Sequence, residues 1–338
     1  MIKYDLGWGN SVCVREAFLE VDFSAPVSFS SKDLMKFDYP VHEGDPELVE
    51  MTKAIVKRQT GNEYKYIILT NGATGGVVIS LRMFKTLGFD NVITRNPPYY
   101  VRYPGMMRST GLKHATEDQY INEYRSKFIH EKNAILLDLP SNPQGLTTSV
   151  DPLDVIDTTV IDGVYFNRVY MPDLKVIRAI PKHDIMIGSY SKLTGVNGLR
   201  VGWIATNNEN YCNYIKELVT SEYCGLSTST SIILKQKLKD LDWPAFERRA
   251  RLKLDNNRTE WQKLEKYFGD VIVEDVGMFY YGPMDKHCKA LFEKAGVKWT
   301  NGAAMGTNDD FGRFNLGQDN KMISEVVKAI IKTDTIKS

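Results

Sequence analysis

One short stretch of the sequence combines a lysine with hydroxyl, glycine and arginine residues. Ser189-Tyr190-Ser191-Lys192 is followed by Gly195, Gly198 and Arg200. Hydroxyl and guanidinium groups donate charge-assisted hydrogen bonds to a phosphate, and glycine permits close approach of the backbone. A lysine amine becomes a useful nucleophile at neutral pH when its surroundings lower its pKa. The stretch therefore predicts a phosphate site beside a lysine, although a solvated polar loop has a similar composition.

A second candidate anion site lies upstream, at Asn71-Gly72-Ala73-Thr74-Gly75. This segment stands between a predicted strand and the start of a predicted helix. The free backbone N–H groups and the dipole at a helix N-terminus attract anions, so a phosphate would be stabilised there. Glycine after asparagine is also a common turn, and the segment alone is compatible with that simpler interpretation.

Four further blocks place aromatic, amide or charged side chains next to turns and strand ends. They are Pro98–Tyr103, Ser141–Gly145, Ile161–Tyr165 and Gly312–Gly317. Taken singly, they have ordinary interpretations: tyrosines that anchor a loop, an Asn-Pro turn, an aspartate that ends a strand, and an arginine in a surface ion pair. A carboxylate buried at a strand end, however, requires a cationic partner or strong hydrogen-bond donors.

The lysine stretch resembles the cofactor-lysine signature of the class I/II aminotransferases of fold type I, which reads Ser-x-Ser-Lys-x-x-Gly-x-x-Gly-x-Arg. The other blocks are similar to the family's phosphate loop and to its Pro-x-Tyr-x-x-Tyr, Asn-Pro-x-Gly, Asp-x-x-Tyr and arginine-strand motifs. The blocks occur in family order and spacing over roughly residues 39 to 317. The resemblance implies an enzyme that uses pyridoxal 5'-phosphate (PLP) to move the α-amino group of an L-amino acid to a 2-oxo acid.

The resemblance also implies a role for each matched residue. Lys192 would carry PLP as an internal aldimine and then move the proton from the substrate Cα. Asp162 would keep the pyridine nitrogen protonated, so that the ring acts as an electron sink, and Tyr165 would hydrogen-bond the ring oxygen. The other implied cofactor contacts are Ala73, Thr74, Tyr100, Asn142, Ser189, Ser191 and Arg200. The implied substrate contacts are Arg313, which would bind the α-carboxylate, Asn142 and Gly9.

The assignments of Tyr100, Gly9 and Tyr39 depend on the details of the resemblance. Tyr100 is assigned to stack on the pyridine ring, although the adjacent Tyr99 leaves the register open. Gly9 takes the place of the family's substrate-contacting glycine, with Ser11 where proline is usual. Tyr39 matches a tyrosine that reaches the phosphate of the neighbouring subunit's cofactor, so the resemblance implies a homodimer.

Two alternatives stay open at this point. A PLP-dependent lyase, decarboxylase or synthase on the same scaffold differs only in which substrate bond is broken, and the pattern does not separate these reactions. A non-catalytic PLP-binding module would be favoured by a DNA-binding helix-turn-helix, and none is recognised before residue 39. The amino acid cannot be predicted, because no second arginine can be assigned to a distal carboxylate.

The composition of the 338-residue chain is ordinary for a globular protein, with 43% hydrophobic and 25% charged residues. Its formal charge of +1 gives no global field that favours nucleic acid or an anionic membrane. Residues 1–18 lack the apolar run of a signal peptide or membrane span, so we expect a cytoplasmic location. The cysteines lie far apart with no histidine at ligand spacing, so neither a disulfide nor a metal site is expected.

Alternating strand and helix patterns predict the scaffold that brings these residues together. Strands are predicted at Tyr66–Leu69, Asn91–Thr94, Ala134–Leu139, Val160–Tyr165, Asp184–Gly188, Val201–Ala205, Val271–Tyr281 and near Val297. Helices are predicted from Asp45 to Gly61, at Val77–Leu87, Tyr120–Phe128, Pro244–Phe268 and Lys286–Ala295, and from Lys321.

This alternation predicts an α/β fold with a mostly parallel, doubly wound sheet, and the resemblance implies fold type I with seven strands. After about residue 240 the pattern changes to that of a smaller α+β domain. The predicted organisation is an N-terminal segment, 1–38, that packs with the small domain, a large PLP-binding domain, 39–240, and a small C-terminal domain, 241–338.

Overall fold

The structure is a computed structural model that describes residues 2–20, 30–34, 39–124, 131–147, 156–171, 184–268 and 276–335. In chain order its strands are β1 (Tyr4–Asp5), β2 (Tyr66–Asn71), β3 (Asn91–Thr94), β4 (Lys113–Thr116), β5 (Asn133–Asp138), β6 (Thr158–Asp162), β7 (Ile185–Ser189), β8 (Val201–Thr206), β9 (Phe279–Pro283), β10 (Val297–Lys298), β11 (Thr300–Asn301) and β12 (Phe311–Asn315). The α-helices are α1 (Val12–Glu20), α2 (Ser31–Leu34), α3 (Pro46–Thr60), α4 (Gly72–Thr86), α5 (Tyr103–Thr110), α6 (Glu117–Gln119), α7 (Tyr190–Leu193), α8 (Glu209–Tyr223), α9 (Thr228–Leu238), α10 (Trp243–Gln262), α11 (Lys286–Lys294) and α12 (Asn320–Thr335).

Seven strands form the central sheet, in the order β2-β8-β7-β6-β5-β3-β4. The pairs from β4 to β7 are parallel, and β8 runs antiparallel to both of its neighbours. Strands β5 and β7 are buried along their whole length and β6 at every position except Thr159, as expected for parallel strands covered on both faces. The predicted mostly parallel, seven-stranded α/β sheet is confirmed. Ligands bind such sheets beyond the carboxyl ends of the strands, so a site is expected there.

Two smaller sheets lie beside the central one. Strands β11, β12 and β9 form an antiparallel sheet, and β1 pairs in parallel with β10. The second pairing joins the N-terminal segment to the C-terminal part of the chain. The division at residues 38 and 240 stays a prediction, with which this pairing is compatible.

Local capping signals predicted some helix boundaries well. The side chain of Asp45 accepts the backbone N–H of Leu48 at the start of α3, and Gly61 ends the helix with φ of 75°. The prediction of an Asn-Gly turn before a helix at Val77 was wrong, because α4 begins at Gly72. Strand β2 leads directly into this helix, since glycine at position 72 adopts φ of 71°.

Other element boundaries differ from the prediction. The strand predicted to reach Tyr165 ends at Asp162, and the helix predicted to reach Phe268 ends at Gln262 and is followed by a 3-10 turn. In place of the helix predicted from Tyr120, α6 is followed by a π-helical turn at Tyr120–Tyr124. The rest of that predicted helix, 125–128, and the first part of the predicted strand at 271–281 lie outside the described residues.

The elements that the sequence analysis missed include α1, α5, β4, α8 and α9. The start of α8 carried a usable signal, because Asn208 caps the helix by accepting the N–H of Tyr211 at 3.1 Å. In the part of the chain that the structure describes, none of the helices has the length and apolar character needed to cross a bilayer.

Candidate active site

The lysine segment connects β7 to β8, and Lys192 lies in the short helix α7 that follows β7 directly. Ser189 caps that helix, since its hydroxyl accepts the N–H of Ser191 at 3.1 Å. Lys192 is enclosed, and its Nζ donates a hydrogen bond to the carbonyl oxygen of Gly9. Burial, together with the nearby charges of Arg313 and Arg200, lowers the pKa of Lys192 to about 7. A large share of this amine is therefore neutral and nucleophilic at physiological pH.

A candidate phosphate site, here called the phosphate cradle, lies next to this lysine and is formed by Ser191, Arg200 and the first turn of α4. Arg200 Nη1 donates to the hydroxyl of Ser191 at 3.3 Å, and a Cβ at Gly72 would lie 2.6 Å from Arg200 Nη2. The guanidinium thus covers the first turn of α4, where the N–H groups of Ala73 and Thr74 have no helical partner. Donors from a helix N-terminus, hydroxyls and a guanidinium converge on one place, as phosphate requires.

Asp162 forms the floor of the cavity at the end of β6. Its Oδ2 accepts a hydrogen bond from the hydroxyl of Tyr103 at 2.8 Å, and its Oδ1 accepts the N–H of Val164 at 3.4 Å. Burial raises the pKa of Asp162 to about 6, and these two donors oppose the shift. A cation in the cavity would stabilise the carboxylate form, and a protonated pyridine nitrogen has that charge.

Tyr103 was missed as a functional residue by the sequence analysis. It is the second tyrosine of the Pro-x-Tyr-x-x-Tyr block, so a signal was present although no role was assigned to it. Its side chain is fully buried at the start of α5, and burial beside Asp162 raises its pKa well above the ordinary value. The phenol therefore remains a hydrogen-bond donor to the acid over the whole physiological range.

The structure distinguishes the two adjacent tyrosines. Tyr100 lines the cavity, and its ring packs edge-to-face on Tyr103 at a centroid distance of 5.4 Å. Tyr99 instead packs edge-to-face on His114 at 5.5 Å. Tyr165 also lines the cavity, and burial raises its pKa well above the ordinary value, so its hydroxyl keeps its proton.

Arg313 lies on β12 and lines the cavity. Its Nη1 donates to Asn142 Oδ1 at 3.0 Å, and its Nη2 donates to the carbonyl of Gly7 at 2.8 Å and to Thr300 Oγ1 at 3.1 Å. The guanidinium carbon lies 4.3 Å from the ring centroid of Phe279. Within the described residues, no carboxylate pairs with Arg313 and its buried Nε has no hydrogen-bond partner. The positive charge is therefore available to an anionic ligand.

The N-terminal segment Gly7–Asn10 forms another wall of the cavity. The side-chain nitrogen of Asn315 donates to the carbonyls of Trp8 at 2.6 Å and Asn10 at 2.7 Å. A Cβ at Gly9 would lie 3.5 Å from Lys192 Nζ, an ordinary van der Waals contact, so this glycine stands directly beside the amine. Sequence analysis missed the role of Asn315, although it lies in the arginine-strand block.

The cavity collects all but one of the residues predicted for the site. Its volume is about 610 Å³, and its lining includes Gly9, Ala73, Thr74, Tyr100, Asn142, Asp162, Tyr165, Ser189, Ser191, Lys192, Arg200 and Arg313. The exception is Tyr39, which is 88% exposed and does not line it. An anion cradle, an enclosed amine, a buried acid and a second guanidinium fit the phosphate, aldehyde and pyridine nitrogen of PLP together with a substrate carboxylate. No group of three His, Cys, Asp or Glu residues in the described segments could hold a metal ion.

Comparisons with known proteins agree with this arrangement. The profile of the family "Aminotransferase class I and II" matches residues 4–330. An aspartate aminotransferase from Pyrococcus horikoshii is 22% identical, over 93% of this chain and 88% of that protein. A (5-formylfuran-3-yl)methyl phosphate transaminase from Methanocaldococcus jannaschii is 25% identical, over 78% of this chain and 74% of that protein. The crystal structure of an aromatic aminotransferase from P. horikoshii superposes with a TM-score of 0.77 and 17% identity, and the match covers 99% and 96% of the two chains. The chain therefore belongs to the aminotransferase class I and II family, and it is a PLP-dependent transferase.

Proposed function

We propose that this chain transfers the α-amino group of an L-amino acid to a 2-oxo acid, with Lys192 as the residue that holds PLP covalently. The observation that carries the proposal is the enclosed Lys192 amine in a cavity that Arg200 and Arg313 also line. A neutral amine that shares a cavity with two cations is suited to an aldehyde cofactor that carries a phosphate and to a substrate that carries a carboxylate.

The residues around the cofactor site divide into three groups. Ala73, Thr74, Ser189, Ser191 and Arg200 would bind the phosphate. Tyr100 would cover one face of the ring, and Asn142 and Tyr165 would donate to its oxygen. Asp162 would hold a proton on the ring nitrogen, with Tyr103 as its donor. When it is bound, PLP supplies an electron-withdrawing ring that stabilises negative charge at the substrate Cα.

The substrate side of the site would be organised by Arg313. Its buried guanidinium would bind the α-carboxylate and thereby fix which Cα bond faces Lys192. The neutral Lys192 amine would then accept the Cα proton, since burial keeps its pKa near 7. Gly9 would help to hold this amine in place, because its carbonyl accepts a hydrogen bond from Nζ.

We extend the proposal to a homodimer in the cytoplasm. The side chain of Tyr39 is 88% exposed on the isolated chain, which supports a role toward a second subunit's cofactor phosphate. Neighbouring Val41 is 51% exposed, and burying such apolar surface favours association. The cytoplasmic location is a prediction from the sequence alone.

A product assay tests the proposed reaction. The purified protein with added PLP is incubated with single L-amino acids and a 2-oxo acid, and amino acid and oxo acid products are quantified. We expect one new amino acid per oxo acid consumed and no net ammonia or carbon dioxide. Release of ammonia or carbon dioxide with no new amino acid would contradict transamination. Lys192→Ala should abolish turnover, and Lys286→Ala on the exposed start of α11 serves as its matched control.

A further inference from the structure

Asp138 is a buried acid at the cavity to which none of the roles above has been assigned. It ends β5, is only 5% exposed and lies on the cavity wall. Its Cα pairs in register with that of Asp162 at the end of β6. Neighbouring strands lie about 4.8 Å apart and paired side chains point to the same face, so the two carboxyl groups are neighbours.

A hydrogen-bonded path runs from Asp138 across the site. Asp138 Oδ2 accepts the backbone N–H of Asn142 at 2.8 Å. The side-chain oxygen of the same Asn142 accepts from Arg313 Nη1 at 3.0 Å. Asp138 thus fixes the backbone of the residue whose amide contacts the substrate-binding guanidinium.

The location of Asp138 is electrostatically unfavourable. Burial raises its pKa to about 7, and the charge of Asp162 adds to the shift, while the N–H of Asn142 and the charge of Arg95 oppose it. An apolar side chain here would avoid this cost, but it would leave the N–H of Asn142 without its acceptor. The hydrogen bond to Asn142 is therefore what an acid at this position contributes.

We infer that Asp138 is a positioning residue, which orients Asn142 so that Asn142 and Arg313 together bind the substrate carboxylate. Asp138 itself need not touch the substrate. Its effect on substrate rests on the proposed function, whereas the path from Asp138 to Arg313 is a property of the protein alone. The carboxylate acts as a hydrogen-bond acceptor, so an asparagine at position 138 can replace it through its amide oxygen.

The first experiment measures KM and kcat separately in three variants. Asp138→Ala removes the acceptor and should raise KM for the amino acid about tenfold, with kcat within about threefold of the parent, as expected for loss of one charge-assisted bond. Asp138→Asn should restore KM to within about threefold. Asp184→Ala is the matched control, because Asp184 Oδ2 accepts the N–H of Thr159 at 3.0 Å at the opposite end of the same sheet, and its KM should not change.

The second experiment uses the cofactor-free protein and therefore does not depend on the reaction. The unfolding equilibrium constant is measured in urea for Asp138→Ala, Arg313→Met and the double variant. Each single variant should raise the unfolding equilibrium constant by some factor. If the path couples the two residues, the factor for the double variant should be at least threefold smaller than the product of the two single factors. In the control cycle, the effects of Asp184→Ala and Arg313→Met on the unfolding equilibrium constant should simply multiply.

The outcomes distinguish this inference from the proposed function. Independent effects of Asp138→Ala and Arg313→Met on unfolding would overturn the inference, even if the parent protein transaminates. An unchanged KM in Asp138→Ala, or an equal rise in Asp138→Asn or Asp184→Ala, would overturn it as well. A parent protein that fails to transaminate would refute the proposed function, and the unfolding cycle would still decide whether Asp138 positions Asn142 and Arg313.

Discussion

The hydroxyl of Tyr103 donates a hydrogen bond to Oδ2 of Asp162 at 2.8 Å, inside the protein and directly beneath the cavity. Because burial raises the pKa of Asp162 to about 6 and this donor opposes the shift, Tyr103 helps to keep the acid ionised. An ionised Asp162 is the form that can pair with a protonated ring nitrogen. A tyrosine on α5 thus lowers the pKa of an acid on β6.

We predict that Tyr103→Phe weakens PLP binding roughly tenfold, because a hydrogen bond to a charged group contributes about 1.5 kcal/mol or more. Equilibrium titration of the cofactor-free protein, followed by visible absorbance, measures this change. Tyr280→Phe is the control, since the buried hydroxyl of Tyr280 has no hydrogen-bond partner among the described residues. Equal affinity in both variants and the parent would show that Tyr103 does not support Asp162.

Lys192→Met should stabilise the cofactor-free protein in a pH-dependent way. The pKa of Lys192 is about 7 in the fold and about 10.4 in an unfolded chain, so the folded state binds its proton more weakly. Burying the charged amine costs folding free energy. This cost is greatest below pH 7 and disappears as the pH rises through about 10. The stability gained by Lys192→Met should therefore be largest at low pH and shrink between pH 7 and 10.

Urea unfolding at several pH values checks this prediction, with the exposed Lys286→Met as the control. The difference between each variant and its parent isolates the single lysine from all other titrating groups. A gain that is the same at every pH would mean that the Lys192 amine titrates in the fold as an ordinary lysine does.

Asn315→Ala should loosen the segment that covers the amine. The variant loses donors to the carbonyls of Trp8 and Asn10, so we expect about 2–4 kcal/mol lower stability and at least fivefold weaker PLP binding. Asn257 is a close match as a control, because its side-chain nitrogen likewise bridges two carbonyls, at 2.8 and 2.7 Å, away from the cavity. Asn257→Ala should lower stability to a similar degree without weakening PLP binding, as urea unfolding and absorbance titration can show.

Arg313→Lys should reduce kcat/KM for the amino acid about 100-fold. An ammonium group keeps the charge but cannot form two parallel bonds to a carboxylate, which costs about 2–3 kcal/mol. PLP binding should change little, because the hydrogen bonds of Arg313 go to Asn142, Gly7 and Thr300 and not to the residues assigned to the phosphate. Steady-state kinetics and cofactor titration of the same variant separate the two effects, and weaker PLP binding with unaltered kcat/KM would contradict the assignment.

Local patterns predicted the fold, and they selected residues of which all but Tyr39 line one cavity, because each motif lies within one short segment or strand end. Asp45 and Gly61 bound a helix through contacts to nearby backbone, and Ser189 to Arg200 form one continuous segment between β7 and β8. The alternation of helices with apolar strands along the sequence was sufficient to predict a mostly parallel α/β sheet.

Long-range partners could not be predicted in the same way. Tyr103 meets Asp162 across 59 positions, and Asn315 meets Trp8 across 307. Such contacts depend on sheet order and strand register, which no single segment encodes. For the same reason Asp138 was passed over as part of an ordinary buried strand, although its register with Asp162 places it at the cavity.

The measurement that tests the account most directly is the site of covalent PLP attachment. The PLP-loaded protein is reduced with borohydride, digested and analysed by peptide mass spectrometry, with Lys192→Ala treated in parallel. We predict one modified residue, Lys192, in the parent and no modification in the variant. A pyridoxyl group on another lysine, or an unmodified Lys192 in fully folded, PLP-saturated protein, would contradict the central claim.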